Sequence, residues 1–364
     1  MRKILLLTAA AVFAFASCTK ENKQTEDGPK TLTVKIGNAE TRAVQAPGTA
    51  IPATLSSGII FLIDPSGNVI GSSITLNVGQ ATTTGQVINN VSSSARVYIL
   101  GNVVAGDVSA VSALTTWSAI QAYASDIAAY QTTLYTAAAL GNQAGVPAGI
   151  TVTSTTEANV SINLTPLHAR LELFGVTSAL YTDPGNSLNQ TQITNFDVIG
   201  VYVDSYYPNF TYGGGGSGTL FQINQAAPSG GIGDTGTWPA VGTPPTMTTG
   251  PNPSIWGYNV AAGSLPRLVI ALTTIEYEVS TDGGSTWTPG TDITSTGTYY
   301  LTVGGYSNAG LTSFERGNIY QITAANMTFS TDNLHTTPNP TEIDLTITVT
   351  VLPWVLVNTL PILE

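Results

Sequence analysis

Short segments in which apolar and polar residues alternate recur along most of this chain, from Leu32 to Val357. A period of two is typical of β-strands that bury one face, because successive side chains point to opposite sides of a sheet. Turn-forming residues such as Pro65-Ser66-Gly67-Asn68 separate the segments. The pattern predicts strands at Thr31–Gly37, Gly58–Asp64, Ile74–Val78, Gln86–Val91, Arg96–Asn102, Ala158–Leu164, Ala169–Phe174, Phe196–Val203, Arg267–Val279, Gly297–Val303, Tyr320–Phe329 and Ile343–Val357.

One stretch, between Thr115 and Ala139, departs from this alternation. Its apolar residues from Trp117 to Ile127 recur every three or four positions, which predicts a single short helix capped by a threonine. Only 9% of the residues are charged, and Gly, Thr and Ser abound, which suits β-sandwiches better than helix bundles. We therefore predict a mainly β fold, with enough chain for two domains.

The first residues indicate export. Arg2 and Lys3 precede the apolar run Ile4–Ser17, which is too short to span a bilayer and ends in small residues, as secretory signal peptides do. Cys18, the only cysteine, follows directly, and Phe15-Ala16-Ser17-Cys18 resembles a bacterial lipobox. A lipid on Cys18 would anchor the chain to a membrane. The alternative is an ordinary signal peptide followed by a chance cysteine.

The charges exclude one class of partner. The net charge is −11, every lysine lies before Arg42, and only four arginines follow it. Proteins bind nucleic acid through many Lys and Arg contacts to phosphate, so we expect no nucleic-acid partner.

The chain then divides into four parts. Residues 1–18 form the signal peptide, and residues 19–42 form a tether with a strand whose apolar face carries Leu32, Val34 and Ile36. Proline breaks a strand ladder, so Pro166 marks the border between an N-terminal domain, 43–165, and a C-terminal domain, 166–364. Gly213–Gly216 lacks the Lys-Ser/Thr ending of a phosphate loop, and we interpret it as a flexible link.

One motif suggests chemistry. Ser280 to Trp287 matches the Asp-box that recurs in sialidases, but those enzymes carry several copies and an arginine triad. We interpret it as a hairpin turn in which Asp282 binds backbone amides, Gly283 and Gly284 take positive φ, and Trp287 packs inward. A glycosidase stays open as a minor alternative.

Other candidate catalytic groups are sparse. His168 and His335 are the only histidines, and neither has a metal-ligating companion at a useful spacing. Two carboxylate pairs fit solvated strand faces better than a glycosidase site: Glu276 with Glu278, and Glu342 with Asp344. We expect no catalytic residue, no metal and no cofactor, and therefore no enzyme.

The end of the chain forms a distinctive tail. Apolar and Thr residues alternate up to Val351, and both faces then become apolar around Trp354. A terminal strand that leaves its own sheet exposes backbone groups that invite another subunit, whereas a plain last core strand is the alternative. The candidate donor-strand residues are Leu345, Ile347, Val349, Val351, Trp354, Val355 and Val357.

Together these features resemble the fimbrillins, the FimA-like and Mfa-like subunits of Bacteroidales type V pili. The residues that carry the resemblance are Cys18, the segment from Thr31 to Val44 with its exposed arginine, Pro166–Leu173, Arg316–Ile322 and the tail around Trp354. No single motif is specific, but their order along the whole chain is.

The resemblance implies two transthyretin-like β-sandwich domains and a lipoprotein precursor in the outer membrane. It implies that an arginine-specific protease cuts after Arg42, leaving Ala43 first and removing the strand that carries Leu32, Val34 and Ile36. Copies of the chain would then polymerise by strand exchange into a cell-surface fimbrium that supports adhesion. A tip adhesin or surface glycan-binding lipoprotein, using the segment from Gly213 to Ser254, is the alternative function.

Overall fold

The computed structural model describes residues 30–37, 53–91, 95–130, 139–142, 157–221, 248–249, 256–336, 345–353 and 356–357. In these ranges no helix combines the length and the apolar character that crossing a membrane requires. Up to Pro166 the strands are β1 (Lys30–Ile36), β2 (Ala53–Thr54), β3 (Gly58–Ile63), β4 (Ile74–Thr75), β5 (Gln86–Val91), β6 (Arg96–Gly101), β7 (Ala124–Asp126), β8 (Ala139–Asn142) and β9 (Glu157–Pro166).

The second part of the chain contributes sixteen further strands within the described residues. They are β10 (His168–Leu173), β11 (Thr177–Ser178), β12 (Tyr181–Thr182), β13 (Gln190–Asp204), β14 (Asn209–Thr211), β15 (Gly216–Ser217), β16 (Thr248–Thr249), β17 (Trp256–Ala261), β18 (Arg267–Ser280), β19 (Thr288–Pro289), β20 (Tyr299–Tyr306), β21 (Asn318–Ile322), β22 (Thr328–Phe329), β23 (Leu345–Ile347), β24 (Thr350–Pro353) and β25 (Leu356–Val357).

The helices are short. They are α1 (Val78–Thr83), α2 (Ala105–Ser112), α3 (Trp117–Ala122) and the 3₁₀ turns Ile127–Tyr130, Ala324–Asn326 and Thr331–Asn333. The helix expected after Thr115 is α3, which begins where the Thr116 hydroxyl accepts a hydrogen bond from the Ala119 amide at 3.2 Å. It ends at Ala122 because the next residues form β7 and pair with β14. The sequence pattern predicted neither α1 nor α2.

Most strands of the described residues lie in three large sheets, and the others form three small ones. The first has the order β4-β3-β6-β8-β9-β1-β5, the second β16-β17-β10-β21-β24, and the third β12-β13-β18-β20-β23 with β19 paired to β18. One apolar cluster lies mainly on the first sheet, and a larger one joins residues from all three sheets. The predicted mainly β fold is confirmed.

The predicted border residue, Pro166, is the last residue of β9 and lies opposite Ala139 of β8, and strand pairing also crosses the border. Strand β7, from the first part of the chain, pairs antiparallel with β14 from the second, with Phe210 opposite Ser125. Phe210 packs against Tyr130 and His168 at ring-centroid distances of 5.3 and 5.1 Å. The two parts therefore share a packed junction, and their division into two domains stays a prediction.

Candidate functional site

Strand β1 lies inside the first sheet and not at its edge. It runs parallel to β9, with Thr31 to Ile36 opposite Glu157 to Ile162, and antiparallel to β5, with Leu32 opposite Ile88. Within the described residues, β1 is the only strand that pairs with β5. Strand β5 thus belongs to the sheet through β1.

A glycine permits this close pairing. Gly85 precedes β5 with φ of +94°, and a Cβ atom at that position would lie 2.5 Å from the Thr33 methyl carbon. Only glycine adopts this backbone conformation readily while leaving that space empty. Gly85 therefore allows the turn between α1 and β5 to approach β1.

The apolar face of β1 is buried along its whole length. Leu32, Val34 and Ile36 are buried in one cluster, whereas Lys35 is exposed. Each buried side chain of this size contributes about 1.5–3 kcal/mol relative to exposure. Removal of β1 would therefore cost several kcal/mol of apolar contact and would expose the backbone groups of β9 and β5.

The tail is not one continuous strand. Strand β23 runs parallel to β20, β24 runs antiparallel to β21, and β25 runs parallel to β2. The tail therefore passes from the third sheet to the second and then reaches β2. It docks on its own chain in three short pieces, where the sequence pattern predicted a single strand.

The alternation of buried and exposed side chains shifts by one residue between β23 and β24. Ile347 and Val349 are buried and Leu345 is partly buried, as the alternation predicted. Val351 is 45% exposed, because the chain has turned onto the second sheet, and Leu352 faces inward in its place. Of the other candidate donor residues, Trp354 and Val355 lie outside the described residues, and so does the side chain of Val357.

Side chains hold the passage between β23 and β24. The Asn308 amide bonds to the backbone N–H and carbonyl of Val349. The backbone carbonyl of Thr348 accepts from Asn326 Nδ2 at 3.1 Å, and the Ser307 amide donates to the Ile347 carbonyl at 2.8 Å. The bonds from Asn308 and Asn326 satisfy backbone groups of Val349 and Thr348, which lie between β23 and β24.

The tail and β1 contact the same apolar cluster. Leu352 is paired with Ile319 across β24 and β21, and both pack against the cluster that contains Leu32 and Val34. The first strand and the last part of the chain therefore contribute to one apolar cluster. The sequence pattern carries no signal for this, because the residues of the cluster lie more than 300 positions apart.

A buried polar network lies at the start of the second part of the chain. Arg170 (2% exposed) donates from Nε to Glu172 Oε1 at 2.8 Å, and Glu172 is fully buried. Asn259 and Gln321 add hydrogen bonds to Arg170 and Glu172 at 3.2 and 3.0 Å. Gly257 leaves the space that the guanidinium occupies, since a Cβ there would lie 1.8 Å from Nη2. The network joins β10, β17 and β21.

His168 lies on the same strand and is buried against aromatic rings. Burial, and to a lesser degree the charge of Arg170, lowers its pKa from 6.5 to about 3. The imidazole is therefore neutral and aromatic packing is its role, with Tyr130 at 5.2 Å between ring centroids. Sequence reasoning missed this network, because alternating polar residues on a strand indicate a solvated face as readily as a buried one.

The Asp-box segment forms the expected turn. Asp282 Oδ1 accepts from the Thr286 amide at 2.8 Å and from the Ser280 hydroxyl at 2.7 Å, and these bonds lower the pKa of the Asp282 carboxyl to about 2. Gly283 and Gly284 have φ of +71° and +86°. Trp287 is half-buried over Gly284 and does not reach the core.

The remaining predicted groups form no reactive cluster in the described ranges. Glu276 is exposed, and Glu278 accepts a hydrogen bond from Gln192 at 2.7 Å. No group of three or more His, Cys, Asp or Glu that could hold a metal occurs in the part of the chain that the structure describes. Besides Trp354 and Val355, five predicted site or carboxylate residues lie outside it: Cys18, Arg42, Ala43, Glu342 and Asp344.

Comparisons with known proteins identify solved structures that share the fold. No protein-family model matches the chain, and no curated protein matches its sequence. A "putative cell adhesion protein" from Parabacteroides distasonis ATCC 8503 matches with a TM-score of 0.53 at 13% identity, covering 92% of this chain and 99% of that one. A second protein of the same description and organism matches at 0.55 and 10% identity, with coverages of 90% and 98%.

A fimbrilin from Porphyromonas gingivalis W83 also aligns, with a TM-score of 0.47 at 15% identity over 91% of this chain and 99% of that one. The two adhesion proteins, with TM-scores of 0.53 and 0.55, show the fold of this chain. The chain has their fold, and the resemblance seen in the sequence is confirmed at that level.

Proposed function

We propose that this chain is a structural subunit of a cell-surface fimbrium. In this proposal the precursor is exported as a lipoprotein through Cys18, is cleaved between Arg42 and Ala43, and polymerises by donor-strand exchange. The structural neighbours are described as cell adhesion proteins, which supports a role as a fimbrial subunit. The observation that supports cleavage and strand exchange is the position of β1, an interior strand supplied by the segment before Arg42.

The geometry around β1 defines what must replace it. Loss of β1 would open a groove between β9 and β5. Strand β5 would have no partner there, β9 would keep only β8, and the cluster around Ile88 and Val160 would lose its cover. Only another extended strand restores both the backbone hydrogen bonds and the apolar contacts. A strand that runs in the direction of β1 would be parallel to β9 and antiparallel to β5.

The tail is the donor in this proposal. It offers apolar residues at alternate positions, and its docked pieces β23 and β24 are only three and four residues long. It would have to leave β20, β21 and β2 to reach the groove of another copy. Pro353 ends β24 and limits the pairing there, because proline donates no backbone hydrogen bond.

Truncation tests the proposal. Cells that carry the full chain should show fibres by electron microscopy. Deletion from Leu352 onward should leave a folded, exported monomer and no fibres. Leu188→Ala changes an exposed residue away from the tail and should leave the fibres unchanged. Normal fibres from the truncated protein would refute strand exchange through this tail.

One observation favours the alternative of a tip adhesin or glycan-binding lipoprotein. A surface cavity of about 330 Å³ lies beside Leu220, at the start of the glycine-rich segment. Its lining residues are Ser205, Tyr207, Leu220, Gly263, Ser264, Leu265, Arg267 and Gly304. Electron microscopy separates the two functions, because a shaft subunit leaves long polymers and a tip subunit does not. Carbohydrate binding that Tyr207→Ala abolishes, on cells without polymers, would favour the alternative.

A further inference from the structure

The four arginines after Arg42 lie in two different settings. Arg96 and Arg267 begin strands and Arg170 is buried within one, whereas Arg316 is exposed in the connection between β20 and β21. Exposed connections are the usual sites of proteolytic cutting. Arg316 lies beside β21 and not within it, so another feature must decide whether that bond is cut.

The side chain of Arg316 packs on the glycine turn Gly213–Gly216, and we call Gly213 and Gly214 its seat. Its Nη1 donates to the carbonyl oxygen of Gly213 at 3.2 Å. A Cβ atom on Gly214 would lie 2.1 Å from the same nitrogen, and Gly214 has φ of +97°. Glycine at this position thus satisfies a backbone conformation and a space requirement together.

The glycine turn is itself fixed, which corrects its interpretation as a flexible link. Gly213 donates to the Gln121 carbonyl, and Gly216 donates to the Ala262 carbonyl, both at 2.9 Å. Gly214 donates to the Thr211 carbonyl at 2.8 Å. The seat for Arg316 is therefore anchored to two distant parts of the chain.

Hydrogen bonds from backbone amides hold the chain on both sides of Arg316. The Phe314 amide donates to the Ser264 carbonyl at 2.8 Å, and the Glu315 amide donates to the Tyr320 hydroxyl at 2.7 Å. The Gly317 amide donates to the His168 carbonyl at 3.0 Å, and Gly317 has φ of +72°. Proteases bind their substrates extended, and a residue with this φ directly after the cut bond is not extended.

We propose that Arg316–Gly317 is a shielded site for arginine-specific proteolysis, kept closed by the Gly213-Gly214 seat and by the backbone ties of residues 314–317. The bond becomes a substrate only after this turn opens. In the folded chain, an arginine-specific protease then leaves the second part of the molecule intact despite an exposed arginine. This shielding is a property of the folded chain alone, whether or not the chain forms fibres.

Limited proteolysis of the full chain with trypsin tests the proposal, with mass spectrometry following the appearance of a new terminus at Gly317. The wild type should stay uncut there while Arg42 is cut. Gly214→Ala should speed the cut after Arg316 about tenfold, because cleavage follows the population of the open turn and the substitution both strains the backbone and displaces the guanidinium.

Two glycine controls separate this seat from general strain. Gly215→Ala adds a methyl group to the same turn, where no atom lies within 4 Å. Gly71→Ala adds one at φ of +70°, also with no atom within 4 Å, outside the glycine turn and the bonded residues around Arg316. Both should behave as the wild type. Tyr320→Phe removes the hydroxyl that binds the Glu315 amide and should speed the cut several-fold, which keeps the test decisive if Gly214→Ala fails to fold.

Three outcomes would overturn the inference. The first is cleavage of the wild type after Arg316 as fast as after Arg42. The second is wild-type resistance in both Gly214→Ala and Tyr320→Phe when circular dichroism shows native folds. The third is equal acceleration by Gly215→Ala and Gly214→Ala.

Discussion

The side-chain amide of Asn308 takes the place of a neighbouring strand for the backbone of Val349. Its Nδ2 donates to the Val349 carbonyl at 2.8 Å, and its Oδ1 accepts from the Val349 amide at 2.9 Å. Val349 is buried, so these backbone groups need partners within the protein. Asn308 therefore fixes the point at which the tail leaves one sheet for another.

We expect Asn308→Ala to loosen the tail selectively. Two buried backbone groups would lose their partners, which costs about 1–3 kcal/mol. Urea unfolding measures the loss of stability, and hydrogen exchange should show faster exchange within β23 and β24 than in the wild type.

Asn195→Ala is the matched control for that substitution, because Asn195 is exposed on β13. It should change the free energy of unfolding by less than about 0.5 kcal/mol. Unchanged exchange of the tail amides in Asn308→Ala would contradict the role assigned to Asn308.

Strand β1 should contribute strongly to the stability of the uncut chain. Leu32→Ala removes a fully buried side chain and should destabilise the fold by about 2–5 kcal/mol. Lys35→Ala, on the exposed face of the same strand, should change stability by less than about 0.5 kcal/mol. Urea unfolding compares the two, and equal effects would show that β1 does not pack as described.

The strand pattern predicted much of this fold, because alternation and turn residues are local signals. Strand β5 has the predicted limits, Gln86–Val91, and a glycine with positive φ directly before it. Other elements depend on pairing with segments that are distant in the sequence. The helical periodicity after Ala122 gave way to β7, because that segment pairs with Asn209–Thr211, about 85 positions later.

The sequence predicted only the part of the candidate site that local signals determine. The buried face of β1 follows from the residues of one strand, and all three predicted side chains are buried. The break in the tail depends on Asn308, about 40 positions earlier, and nothing in the tail sequence indicates it. The ion pair of Arg170 and Glu172 was missed because a sequence does not show whether a polar strand face is covered.

His168 should make the fold sensitive to acid. Its folded pKa of about 3 lies below the unfolded value of 6.5, so the unfolded chain binds a proton that the folded chain refuses. The stabilisation is complete above pH 6.5 and falls by about 1.4 kcal/mol per pH unit as the pH drops toward 3. His168→Phe should remove this share of the slope.

The measurement is the free energy of unfolding at several pH values between 7 and 4, for the wild type and the variant. Other carboxyl groups titrate in both proteins, so the difference between the two curves isolates His168. Parallel curves would show that the imidazole is protonated in the folded chain.

Cys18 should carry lipid in the precursor. A clickable fatty acid fed to cells that produce the chain should label the wild type and leave Cys18→Ala unlabelled, because no other cysteine exists. Both proteins should be produced in equal amounts, as judged with an antibody to the second part of the chain. Equal labelling of the two would remove the lipoprotein assignment.

The N-terminal sequence of subunits purified from cell-surface fibres tests the proposed maturation most directly. If β1 is cut away and another strand fills its place between β9 and β5, the subunits begin at Ala43 and contain no peptide from Thr31 to Gly37. Fibres whose subunits begin at Cys18 and retain β1 would contradict strand exchange at this groove.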